Sequence, residues 1–212
     1  MKSNKSRVLL AVLLCPAAVF LCWWQFSSRK VNLRPSAAAG EVIFGEVARL
    51  AGGNGNVVLV SRPLKKGEPD ANGERVTSFS DALRRQPAFK LTTEWAPPPP
   101  KAVMDLGAIT PEQFLTAVDK NPEANVLVVF AGLPACSQDL AGKVNSRSLK
   151  MIAVCGYGPI VRQWLESKAL SLAVVPRFDD PPAGTPPPKT PKDWFDHEYQ
   201  IITPADLAQL PY

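Results

Sequence analysis

Apolar positions along this chain fall into blocks with two different periods. In "EVIFGEVARLA" at 41–51, Ile43, Phe44, Val47 and Leu50 recur on one helical face, and Gly52-Gly53 stops the helix. "NVVLVS" at 56–61 has no stripe; it is a short continuous apolar run, as a strand covered on both faces requires. Residues 62–75, "RPLKKGEPDANGER", are rich in turn formers and read as a polar loop. A short helix around Ser78–Arg85 and a strand at 89–95, "FKLTTEW", follow. The prolines of residues 96–108 then make a stiff extended connector.

The clearest helix start is "TPEQFLTAVDKNP". Thr110 can cap, Pro111 suits the first turn, and Gln113 stands three residues after Thr110. Phe114, Leu115 and Val118 share a face, and Asn121-Pro122 ends the helix. "NVLVVFAG" at 125–132 and "KMIAVCG" at 150–156 read as buried strands. A helix with Ile160, Val161, Trp164 and Leu165 on one stripe comes next, then a last strand at 170–176, "LSLAVVP". This order predicts a three-layer α/β domain, a parallel sheet with helices on both faces, over residues 35–178. Residues 179–212 form a proline-rich loop and a surface tail that packs back through its aromatic residues. No internal repeat is evident.

Residues 1–34 are set apart by charge and hydropathy. They hold six of the 24 basic residues and no acidic one, leaving 18 basic against 19 acidic residues in the rest. The basic balance therefore belongs to this segment, and a nucleic-acid-binding face on the domain is not expected. The stretch from Val8 to Trp24 is apolar, with Lys and Arg on both flanks, about the shortest length that spans a bilayer. Trp23 and Trp24 suit the interfacial belt at its end. A single-pass anchor through residues 8–26 in the inner membrane follows, with the domain facing the periplasm or cell exterior. A cleaved signal peptide, with Ala37–Ala39 as the small-residue site, is the rival reading. Cys15 and Cys22 lie in the apolar run. Cys136 and Cys155 each follow a predicted strand, and are either a disulfide formed outside the cytoplasm or two separate buried thiols.

Catalytic chemistry is sparse. His197 is the only histidine, and sits in the tail between Asp196 and Glu198, where a solvated polar role is the simple one. "AGGNGN" follows a helix and precedes a strand, the reverse of a phosphate-binding loop. "CGYG" at 155–158 has the right context but lacks the glycine spacing. There is no nucleophile elbow and no Cys-x-x-Cys pair, and Asp179-Asp180 falls in the proline-rich loop. No enzyme activity, metal or cofactor is expected.

The stretches "GGNGNVVLV", "RVTSF", "NPEANVLVVFAG", "SLKMIAVCGYG" and "LESKALSLAVVP" occur in an order that resembles the C-terminal lobe of type I periplasmic binding proteins, the sugar-binding and LacI-like family. The likeness covers about residues 41–178. It implies a ligand held where the strands end, with Arg75 matching the family's ligand-binding arginine and Phe79 the phenylalanine after it. The family's asparagine–aspartate pair is replaced by Leu133-Pro134 or their neighbours, its next aspartate by Gly158, and no glutamine stands near Val175–Arg177. The family also clamps its ligand between two lobes, whereas this chain has room for one. Two functions follow. One is a membrane-anchored, non-enzymatic envelope protein whose lobe contacts a protein partner or a second copy. The other is a solute-binding or sensory module with a reduced, sugar-like site around Arg75, Trp95 and Tyr157.

Overall fold

The computed structural model describes residues 32–64, 70–96, 109–156, 158–177, 179 and 184–210 of the 212. Its elements run α1 (Arg34–Ala51), β1 (Gly55–Ser61), α2 (Ala71–Arg84), β2 (Phe89–Trp95), α3 (Pro111–Lys120), β3 (Val126–Val129) and α4 (Gln138–Ser146). Then come β4 (Lys150–Val154), α5 (Pro159–Glu166), β5 (Leu170–Pro176), α6 (Pro191–Glu198), β6 (Tyr199–Ile202) and a closing 3₁₀ turn, Pro204–Gln209. The strands form one six-stranded sheet in the order β2-β1-β3-β4-β5-β6. β1 to β5 are parallel, while β6 runs antiparallel to β5, pairing Ile202 with Ala173 and Tyr199 with Pro176. The sheet is therefore mixed rather than wholly parallel, because the tail returns to supply its edge.

Both faces are covered, and this explains the continuous apolar strands. Helices α1, α2 and α6 bury Ile43, Val47, Phe79, Leu83 and Phe195 against Val57, Leu59, Val126, Val128 and Ile152. Helices α3, α4 and α5 bury Phe114, Val118, Leu140, Val144, Trp164 and Leu165 on Val58, Val60, Leu127, Val129 and Met151. Each of these large side chains contributes about 1.5–3 kcal/mol by leaving water. Val126, Val128 and Val129 are fully enclosed.

Helix ends show where the sequence signals operate. Thr110 accepts from the Gln113 amide at 3.3 Å and Gln113 Oε1 accepts from the Thr110 amide at 3.1 Å, a reciprocal cap that fixes the start of α3. Asp70 caps α2 by accepting from the amides of Asn72 (2.7 Å) and Gly73 (2.9 Å). The helix thus begins at Ala71, seven residues before the expected start, and Arg75 lies on it rather than in a loop. Similarly, α1 begins at Arg34, with Pro35 in its first turn.

The one helix the pattern did not predict between β3 and β4 is α4, capped by Ser137, whose hydroxyl accepts from the Leu140 amide at 3.2 Å. Residues 179–212, expected as loop and tail, also supply α6 and β6. Residues 8–26, the expected membrane span, lie outside the described residues. Among the described residues no helix is long and apolar enough to cross a membrane.

Candidate functional site

The chain crosses from one side of the sheet to the other between β1 and β3, and at such a switch the loops diverge and leave a crevice at the carboxyl ends of the strands. A cavity of about 600 Å³ occupies that place. Arg62 follows β1, Asn72 and Arg75 come from α2, Phe130 and Leu133 follow β3, and Cys155 follows β4, with Pro159–Val161 of α5 closing the side.

Arg75 is positioned from three directions. Phe79, one turn further along α2, is fully buried and meets the Phe130 ring edge-on at 5.7 Å. The Arg75 guanidinium lies 5.6 Å from the centre of that same Phe130 ring, held by the ring's negative face. The start of α2 is tied to β1 by the Asn72 side chain, whose Nδ2 donates to the buried Ser61 hydroxyl at 3.1 Å. Arg75 Nε is nonetheless buried with no hydrogen-bond partner. A buried donor left unmade costs on the order of 1–3 kcal/mol, and this one belongs to a side chain that lines the cavity.

The opposite wall is tied down through Trp164. Its indole nitrogen donates to the Pro134 carbonyl at 2.9 Å, joining α5 to the loop that carries Leu133. Gly158 occupies the cap position of α5 at φ 156° and ψ 169°, a conformation essentially reserved for glycine, and no side chain caps the helix. Burial pushes the Cys155 thiol up to about 12, so it stays protonated at neutral pH and supplies no nucleophile or general base. Cys136 is likewise raised, mainly by burial. Both cysteines are free thiols, the second of the two arrangements that the sequence left open. Each packs separately on the core under α4 and α5, Cys155 with its sulfur towards the Ala153 carbonyl.

The other residues singled out in the sequence fall elsewhere. Trp95 ends the edge strand β2, is 47% exposed, and borders a separate 260 Å³ hollow with Glu94, Glu112 and Lys120 rather than the Arg75 cavity. Tyr157 lies outside the described residues. Arg62, Asn72 and Phe130 were not anticipated; an aromatic residue closing an aliphatic strand was the available signal for Phe130. A second cavity, about 650 Å³, lies beneath residues 185–189. Four of its polar side chains are already engaged: Arg177 Nε donates to the Tyr199 carbonyl, Asp193 caps α6, Asp196 pairs with Lys192, and His197 meets Glu198 at 3.0 Å. Among the described residues no three of His, Cys, Asp and Glu are grouped to hold a metal.

Strand order, two-sided helical cover and a crevice at the switch point together define a lobe of the type I periplasmic-binding-protein fold. Solved structures bear this out. The arabinose-binding protein AraP of Geobacillus stearothermophilus superposes with a TM-score of 0.58 at 11% identity, over 84% of this chain and 63% of that one. A sugar-binding protein of a sugar ABC transporter from Bacillus halodurans gives 0.55 at 14%, over 82% and 63%. GanP, a glucose-galactose binding protein of Geobacillus stearothermophilus, gives 0.53 at 16%, over 84% and 62%. The chain thus spans a little under two thirds of the length of these proteins, and at such identities the likeness is one of fold. No family model matches the chain, and no curated protein matches it.

Proposed function

We propose that the chain is a non-enzymatic, solute-binding module of the cell envelope, with its site at the strand ends around Arg75. The observation that carries this is a buried, unpartnered Arg75 Nε on a side chain lining a cavity of about 600 Å³, the size of small-molecule sites, at the switch point of the sheet. That the similar structures are sugar-binding transport proteins supports the same reading. The apolar, base-flanked residues 8–26 support a membrane anchor that holds the lobe outside the cytoplasm.

The test is a thermal-shift screen of the full-length chain against neutral sugars, sugar acids and sugar phosphates, repeated with Arg75→Gln. A solute at a hundred times its Kd stabilises by about 2.7 kcal/mol, which for a domain of this size is a rise of roughly 5–10 °C. Loss of that rise in Arg75→Gln supports the site; an unchanged rise places binding elsewhere. If no compound shifts the wild type, the solute reading is wrong.

A second reading, docking of a protein partner, rests on Trp95 and Leu64. These are the exposed large apolar residues of the described chain, at and just beyond the ends of the paired strands β2 and β1. It predicts that Trp95→Ser abolishes self-association or partner capture by the full-length chain, as read by light scattering and cross-linking, while leaving the melting point in place.

A further inference from the structure

We infer that the strand-end cavity selects a small solute carrying a carboxylate, such as a sugar acid or hydroxy acid, over a neutral sugar. This rests on the solute-binding reading above and adds the charge of the solute to it.

Arg62 and Arg75 are the charged side chains among the described residues lining the cavity, and no carboxylate lines it with them. Arg75 lies against Phe130 with its Nε–H buried and unpartnered. The side of a guanidinium offers Nε–H and one Nη–H as parallel donors, and a carboxylate accepts both with its two oxygens. The start of α5 lines the same cavity with no side-chain cap and no acidic residue in its first turn. Its positive end therefore adds to the field of the two arginines.

A neutral sugar makes a different demand. Each hydroxyl both donates and accepts, so a closed site needs side-chain acceptors as well as donors. The Asn72 side chain, bonded to the Ser61 hydroxyl, is the one neutral polar side chain besides the Cys155 thiol among the described lining. Leu133, Val154, Ile160 and Val161 offer only apolar surface, and the Cys155 thiol is at best a weak acceptor. The described side chains of the lining thus carry two cations and no anion, and that imbalance of charge fits an anion.

The experiment is isothermal titration of the full-length chain at fixed ionic strength with matched pairs: D-galacturonate against D-galactose, and D-glucuronate against D-glucose, with D-glucose 6-phosphate as a further arm. At least one uronate is expected to bind about tenfold or more tightly than its neutral counterpart, with affinity falling as salt rises. Arg75→Lys, which keeps the charge but loses the paired donors, should lose about tenfold or more for the uronate. Arg62→Gln, at an exposed position that leaves the core untouched, should lose less for the uronate than Arg75→Lys does. Equal affinity for acid and neutral sugar overturns the charge inference while the solute reading stands. Tighter binding of the phosphate than of either uronate overturns the carboxylate assignment. Binding of none of them removes both.

Discussion

Gly40 on α1 faces the turn of α2 that carries Arg75. A β-carbon built there would lie 2.5 Å from the Arg75 carbonyl oxygen, 2.8 Å from the Phe79 amide nitrogen and 3.0 Å from Ser78 Cβ. Two of these atoms are backbone of a neighbouring helix and cannot rotate aside. Ordinary contact begins near 3.4 Å, so Gly40→Ala forces the helices apart by about 0.9 Å at their crossing. A gap of that size forfeits a quarter to a half of each dispersion contact across it, and overpacking of this kind costs about 1–3 kcal/mol. Alanine's better helix propensity returns about 1 kcal/mol. Set against the backbone clash, this leaves a net loss of up to about 2 kcal/mol, a fall of up to roughly 8 °C in melting temperature.

Gly45, one and a half turns further along α1, is the control. It is exposed and nothing lies within 4 Å of its β-carbon position, so Gly45→Ala should gain about 1 kcal/mol and melt roughly 2–4 °C higher. Urea and thermal unfolding followed by circular dichroism give both values on the full-length chain. If Gly40→Ala gains about 1 kcal/mol as Gly45→Ala does, the close approach of α1 to α2 is not as described, and the placement of Arg75 falls with it.

Two further outcomes are expected. Trp164→Phe keeps most of a fully buried ring but leaves the buried Pro134 carbonyl without its donor, and should cost about 1–3 kcal/mol by urea midpoint; a change under about 0.5 kcal/mol would show that the bond does not hold α5 to the loop after β3. Cys155 gives a pH dependence on the alkaline side: its thiol ionises near 9 when unfolded and near 12 when folded, so the unfolded chain loses its proton first. Stability is whole below pH 9 and falls as pH rises from 9 towards 12, and Cys155→Ala should flatten part of that fall in urea midpoints measured across the range.

Fold was legible wherever one strong local rule acted alone. β1, β3, β4 and β5 are short aliphatic runs because helices cover both their faces, and α3 carries a complete reciprocal cap. Where local and tertiary demands diverged, the pattern misled. Residues 62–75 contain many turn formers, but Asp70 acts as a cap and starts a helix through Asn72 and Gly73, two poor helix formers held by packing on α1. α4 is short and buries only Leu140, Ala141 and Val144, too few positions to give a periodic stripe. In α1, Ala38, Ala39 and Gly40 are buried, Gly40 directly against α2, and small residues in a row leave no amphipathic signal at all.

The site was legible only through likeness, and the reason is chemical. Leu133, Pro134 and Gly158 stand where the resembling family sets polar and acidic groups, and from the sequence this reads as a ligand site worn away. In the folded lobe the same replacements act on charge. A carboxylate at the head of α5 would sit in the cavity that holds Arg75 and would offer it a partner within the protein. With Gly158 there instead, at a backbone conformation that resists any side chain, the cation has no internal acceptor and its Nε–H stays buried and unmade. On the proposed reading, a cavity that keeps its arginine without an acid favours a ligand that brings its own negative charge over one that shares hydrogen bonds with an acid–base mixture.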